Sequence, residues 1–88
     1  MPTINVTITH EVGLHARPAS LFVKTAGQYN SDIAVSYNGR SANAKSILSV
    51  LTLGVHKDAE IEITADGEDA DEALAALQEL VENNFGER

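Results

Sequence analysis

Ile4, Val6 and Ile8 alternate with Thr3, Asn5 and Thr7, and this period of two predicts a half-buried strand at the start of the chain. His10 to Leu14 then reads as a loop. From Ala16 the period lengthens. Ala19, Phe22, Val23 and Ala26 fall at i, i+3, i+4 and i+7, the stripe of an amphipathic helix that ends near residues 27–30. Alternation returns at Ile33, Val35 and Tyr37. Asn38-Gly39 predicts a two-residue hairpin turn, because both positions tolerate positive φ, and this makes Arg40 to Asn43 the returning strand. Ser46 can cap a brief helix from Ile47 to about Leu53, closed by Gly54. Ile61, Ile63 and Ala65 mark a fourth strand, and Asp66-Gly67 turns the chain. Asp69 and Glu72 stand at capping-box spacing ahead of a last helix, whose stripe is Ala73, Leu74, Leu77, Leu80 and Val81.

The element order is βαββαβα. Each strand has one apolar face, and two of the helices carry one broad apolar stripe. Two layers satisfy both at once, so the expected fold class is α+β: an open-faced sandwich of a four-stranded antiparallel sheet with three helices on one face. The other sheet face is then polar, with Thr3, Asn5, Thr7, Glu60, Glu62 and Thr64. The middle helix has more apolar residues than it can bury. Ile47, Leu48, Val50, Leu51 and Leu53 are five apolar positions in seven, so some of them, Leu48 and Leu51 foremost, should stay partly exposed. Exposed aliphatics rimmed by Lys45, Ser46, Ser49 and Thr52 read as a docking patch.

Composition narrows the picture. A chain of 88 residues suits a single domain over 1–88, with one core and no separate catalytic lobe. The absence of cysteine removes disulfides and thiolate metal sites and fits a reducing compartment. No signal-peptide pattern and no apolar run near ~20 residues occur, so the expected location is the cytoplasm, with no membrane partner. The net charge of −7 argues against nucleic acid, yet it is unevenly spread. Residues 1–57 hold five bases and two acids, giving +3, whereas residues 58–88 hold one base and eleven acids, giving −10. An anion site therefore belongs to the first portion, and the acidic last helix reads as a solvated face.

The run Gly13-Leu14-His15-Ala16-Arg17-Pro18-Ala19-Ser20 concentrates the chemistry. Proline is favoured in a first helical turn, where its missing N–H costs nothing. Reading Ala16, Arg17 and Pro18 as that turn puts His15 at the N-cap, with the Ala16 and Arg17 amides beside its ring. A helix N-terminus is electropositive and rich in unpaired donors, hence ready for an anion. A nucleophilic nitrogen there, with an arginine two residues on, suggests a histidine that carries an anion covalently.

Other chemistries are poorly served. His10, His15 and His56 lack the helical i, i+4 pairing of a zinc site, and His10 and His56 read as surface loop residues. No G-x-S-x-G elbow and no glycine-rich nucleotide loop is present. Neither metal nor cofactor is expected. A protein of this kind would receive its phosphoryl group from one partner and pass it to another.

Gly13-Leu14-His15-Ala16-Arg17-Pro18-Ala19, together with Lys45-Ser46-Ile47 and Leu53-Gly54 at their spacings, closely resembles HPr, the histidine-containing phosphocarrier family of the bacterial sugar phosphotransferase system. The resemblance covers essentially the whole chain. It implies that His15 takes a phosphoryl group on Nδ1 from phosphorylated enzyme I and gives it to enzyme IIA domains. It implies that Arg17 neutralises the phosphoryl oxygens, that Pro18 starts the helix, and that Ile47, Leu48 and Leu51 dock partners. Ser46 matches the serine phosphorylated where an HPr kinase/phosphorylase exists, a modification read by a transcriptional regulator. The protein is then a carrier and not an enzyme, and a monomer by default.

Val12 departs from the family pattern, which often has Asn or Ser before the glycine. A valine cannot hydrogen-bond the imidazole, so ring orientation must come from backbone or from the partner. Ser46 also has a purely structural explanation as a helix N-cap. Two alternatives stand beside the sugar-branch carrier: a regulatory binding module of the same fold, and a carrier of the nitrogen-related branch.

Overall fold

Alternation and turn chemistry produce the strands where the pattern places them. The computed structural model describes residues 2–9, 16–83 and 85. Its elements are β1 (Thr3–Thr7), α1 (Ala16–Ala26), β2 (Asp32–Tyr37), β3 (Arg40–Asn43), α2 (Ile47–Thr52), β4 (Glu60–Asp66) and α3 (Ala70–Glu82). Asn38 and Gly39 take φ 54 and φ 82, so the β2–β3 connection is the turn with two left-handed residues that Asn-Gly favours.

The sheet runs β1-β4-β2-β3, with every neighbouring pair antiparallel. The last strand is therefore inserted between the first two. Register is set by burial: Val6 pairs with Ile61 and Val35 with Ile63, so the apolar positions of all three long strands share one face. On the reverse face Thr3, Thr64, Ala34 and Asn43 form one cross-sheet row, and Asn5, Glu62, Ser36 and Ser41 the next. That face carries no helix, as the open-faced arrangement requires.

Three helices cover the apolar face, with α1 touching both α2 and α3. Phe22, Ile8, Ile61, Ile63, Leu77, Val35, Val50 and Val81 are almost fully buried between the layers. At roughly 1.5–3 kcal/mol per buried aliphatic or aromatic side chain, this interface is the main source of stability. The expected stripes hold in outline: Val23 and Leu80 flank the core half-buried, and Ala70 joins it.

One expected detail is corrected. Asp69 is the residue ahead of α3, but its side chain makes no capping bond to the helix. Its carboxylate instead accepts from the backbone N–H of Asn30 at 2.8 Å, from the N–H of Ser31 at 2.9 Å, and from the Ser31 hydroxyl. The capping-box spacing is present and the box is not formed. A carboxylate accepts from whichever donors the fold brings closest, and here the α1–β2 connection brings three.

Candidate functional site

The helix that begins at Ala16 begins at the residue after His15. First-turn amides of an α-helix point back along the axis toward the preceding chain and carry partial positive charge. Of the proposed phosphate-binding backbone, Ala16 and Arg17 are in that first turn. Pro18 and Ala19 are buried, which pins the head of α1 into the core, while Arg17, Ser20 and Lys24 are exposed along its outer side. His15 itself, Val12 and His10 lie outside the described residues.

Ser46 is the N-cap of α2 in extended conformation, φ −115 and ψ 111, and its hydroxyl oxygen accepts from the Ser49 N–H at 3.4 Å. It is half-buried. Six helical residues and the Leu53 C-cap cannot hide five aliphatic side chains, and burial is divided accordingly. Val50 and Leu53 enter the core, Leu51 is half-buried against it, and Ile47 and Leu48 are left 41% and 71% exposed. Because α2 packs on α1, this apolar pair stands beside the helix that follows His15. Lys45 fastens the two helices where α2 begins, its ammonium donating to the Tyr29 carbonyl just beyond α1 at 2.7 Å.

Charge separates as the sequence suggests. Arg17 and Lys24 are on α1, whereas α3 bears Asp71, Glu72, Glu79 and Glu82 and no base. Among the described residues no group of three His, Asp or Glu side chains is arranged to hold a metal ion. Nor is any helix among them long and apolar enough to cross a membrane.

Sequence reading missed the role of His56. It is an exposed loop residue, but its ring is fixed on both edges, by Tyr37 and by the Lys57 carbonyl. The two side chains are 19 residues apart, and no local pattern announces such a pairing.

The family model for the PTS HPr component phosphorylation site matches residues 2–83. The chain belongs to the HPr family. Members of this family carry phosphoryl groups and do not catalyse a reaction of their own. Among solved structures, HPr-C-His from Thermoanaerobacter tengcongensis is similar at 42% identity and TM-score 0.97, over 100% of this chain and 99% of that one. The phosphocarrier protein HPr of Bacillus anthracis str. Ames matches at 40% identity and TM-score 0.88, over 91% and 95%. Crh of Bacillus subtilis, a catabolite repression protein described as a swapped dimer, matches at 38% identity and TM-score 0.76, over 96% and 97%. HPr and Crh thus share the βαββαβα frame with this chain.

Proposed function

We propose that this chain accepts a phosphoryl group on Nδ1 of His15 from phosphorylated enzyme I and delivers it to the IIA domains of sugar permeases, acting as a cytoplasmic monomer. The observation that supports this reading most directly is the run Gly13-Leu14-His15-Ala16-Arg17-Pro18-Ala19 at the head of α1, in a chain of the HPr family. In each transfer one N–P bond breaks as another forms, so the transferred group needs in-line placement and charge neutralisation more than covalent machinery. Arg17 and the first amides of α1 supply that neutralisation. Ile47, Leu48 and Leu51 seat the partner, and Ser46 is the site of regulatory phosphorylation by an HPr kinase/phosphorylase, read in turn by a transcriptional regulator.

The similarity to Crh supports a second reading, a regulatory module that signals by docking alone. His15 and Arg17 are both present, which favours the carrier. Incubation with enzyme I and phosphoenolpyruvate followed by intact mass decides between them. The carrier gains one acid-labile phosphate, and His15→Ala abolishes the gain. No gain in the wild-type chain leaves the docking module.

A further inference from the structure

The β2–β3 hairpin and the segment between α2 and β4 meet at one end of the sheet. Nε2 of His56 lies 3.0 Å from the Tyr37 hydroxyl, and the two rings stand edge to face with centroids 6.0 Å apart. The other ring nitrogen fixes the direction of that bond. Nδ1 lies 3.0 Å from the Lys57 carbonyl oxygen, which can only accept, so in the neutral ring Nδ1 carries the proton and Nε2 accepts from Tyr37. Two residues beyond His56, Asp58 takes φ 70, a left-handed conformation that few non-glycine residues adopt. Its N–H donates to the Ile8 carbonyl at 2.7 Å, and the Ala59 N–H closes the turn on the His56 carbonyl at 3.1 Å. The turn is thus held to the hairpin through His56 and to the end of β1 through Asp58.

This clamp presents two cations. Arg40 stands opposite Tyr37 in the β2–β3 register, and Lys57 follows His56 directly. Both are exposed, and neither is paired with a carboxylate among the described residues. Asp58 and Glu60 are the acids nearest in the chain. Glu60 lies opposite Thr7 on the uncovered sheet face, and Asp58 makes no ion pair with Lys57. In a chain with thirteen acids and six bases, two cations on a fixed mount with no carboxylate partner among the described residues stand out. Their position adds meaning, since Ile8, which the turn holds, lies just before Thr9, where the chain leads on toward His15.

We propose that Arg40 and Lys57, set in place by the Tyr37–His56 contact, form a docking rim for an acidic segment of the protein that delivers the phosphoryl group to His15. Complementary charge at the edge of an interface acts on encounter and orientation more than on chemistry. The rim is continuous with the end of the sheet from which the His15 segment leaves. This inference rests on the carrier reading above.

The test is the transfer of phosphate from phosphorylated enzyme I, with KM and kcat measured separately. Arg40→Gln/Lys57→Gln is compared with wild type and with Ala75→Glu/Gln78→Glu, which changes net charge by the same two units on α3. The rim variant should raise KM about three- to tenfold, keep kcat within about twofold and flatten the salt dependence of kcat/KM. The control pair should leave KM within about twofold of wild type, since its added charge lies outside the rim. An unchanged KM in the rim variant, or an equal rise in both pairs, overturns the rim alone. A wild-type chain that takes no phosphate overturns the carrier reading and the rim with it.

Discussion

Ser31 and Asp69 are locked together across 38 residues: the Asp69 carboxylate receives both the backbone N–H and the hydroxyl of Ser31, the one buried polar side chain among the described residues. The Ser31 hydroxyl, first, and the Asn30 amide hold the Asp69 carboxyl below its ordinary value, against a smaller opposing effect of desolvation. A depressed carboxyl contributes stability that is complete above its unfolded value, near 3.8, and is lost as pH falls through the folded value. Asp69→Asn should therefore melt below wild type at neutral pH, with the gap narrowing steadily below about pH 4. Melting temperatures from pH 7 to pH 2 check this, and a gap independent of pH would contradict it.

Gly67 lies against the same contact. A methyl group there would come within 2.5 Å of the Ser31 hydroxyl oxygen and 2.8 Å of the Ser31 Cα, and the residue holds φ 154, which side chains disfavour. Gly67→Ala should cost about 1–3 kcal/mol, mostly by forcing Ser31 from the Asp69 carboxylate. Urea unfolding gives the number. A loss below about 0.5 kcal/mol would mean the turn relaxes freely.

Leu48 and Val50 are two residues apart on α2 and belong to opposite surfaces. Leu48→Asp, at a position 71% exposed, should change stability by less than about 0.5 kcal/mol yet slow phosphoryl transfer. Val50→Ala, at a fully buried position, should cost about 2 kcal/mol and spare the transfer rate of the folded protein. Paired unfolding and transfer assays separate the two, and a Leu48→Asp protein with normal transfer would remove this patch from docking.

Ser46→Asp replaces one good N-cap by another, so α2 should survive. The new charge beside Leu48 would repel an acidic partner surface docked there. Transfer from enzyme I should fall by roughly tenfold with melting temperature nearly unchanged. Wild-type transfer rates in this variant would refute regulation by repulsion at Ser46.

The strands were legible because alternation and Asn38-Gly39 are local signals, and burial of one sheet face enforces them. The surplus of apolar residues on α2 was legible as well, since a six-residue helix has little face to offer. Its division was less so: Ile47 is exposed and Leu51 half-buried because α1 and the sheet choose which side of α2 they cover. Contacts between distant segments left no local trace. Asp69 carries a capping signature and answers to Ser31, and His56 reads as a plain loop residue while gripping Tyr37. The start of α1 was legible from spacing alone, because a proline marks a first helical turn, while His15 itself lies outside the described residues.

The place of β4 in the sheet has a consequence for how the protein is made. Among the described residues β1 pairs only with β4, and β2 is joined on one side by β3 and on the other by β4. During synthesis the hairpin of β2 and β3 can form early, but β1 has no ladder to join until residues 60–66 have left the ribosome. In the chain His15 stands between β1 and α1, so the strand before it is anchored only when the last strand arrives. A nascent or clipped chain lacking that strand keeps the histidine in its sequence but leaves the strand before it without a ladder.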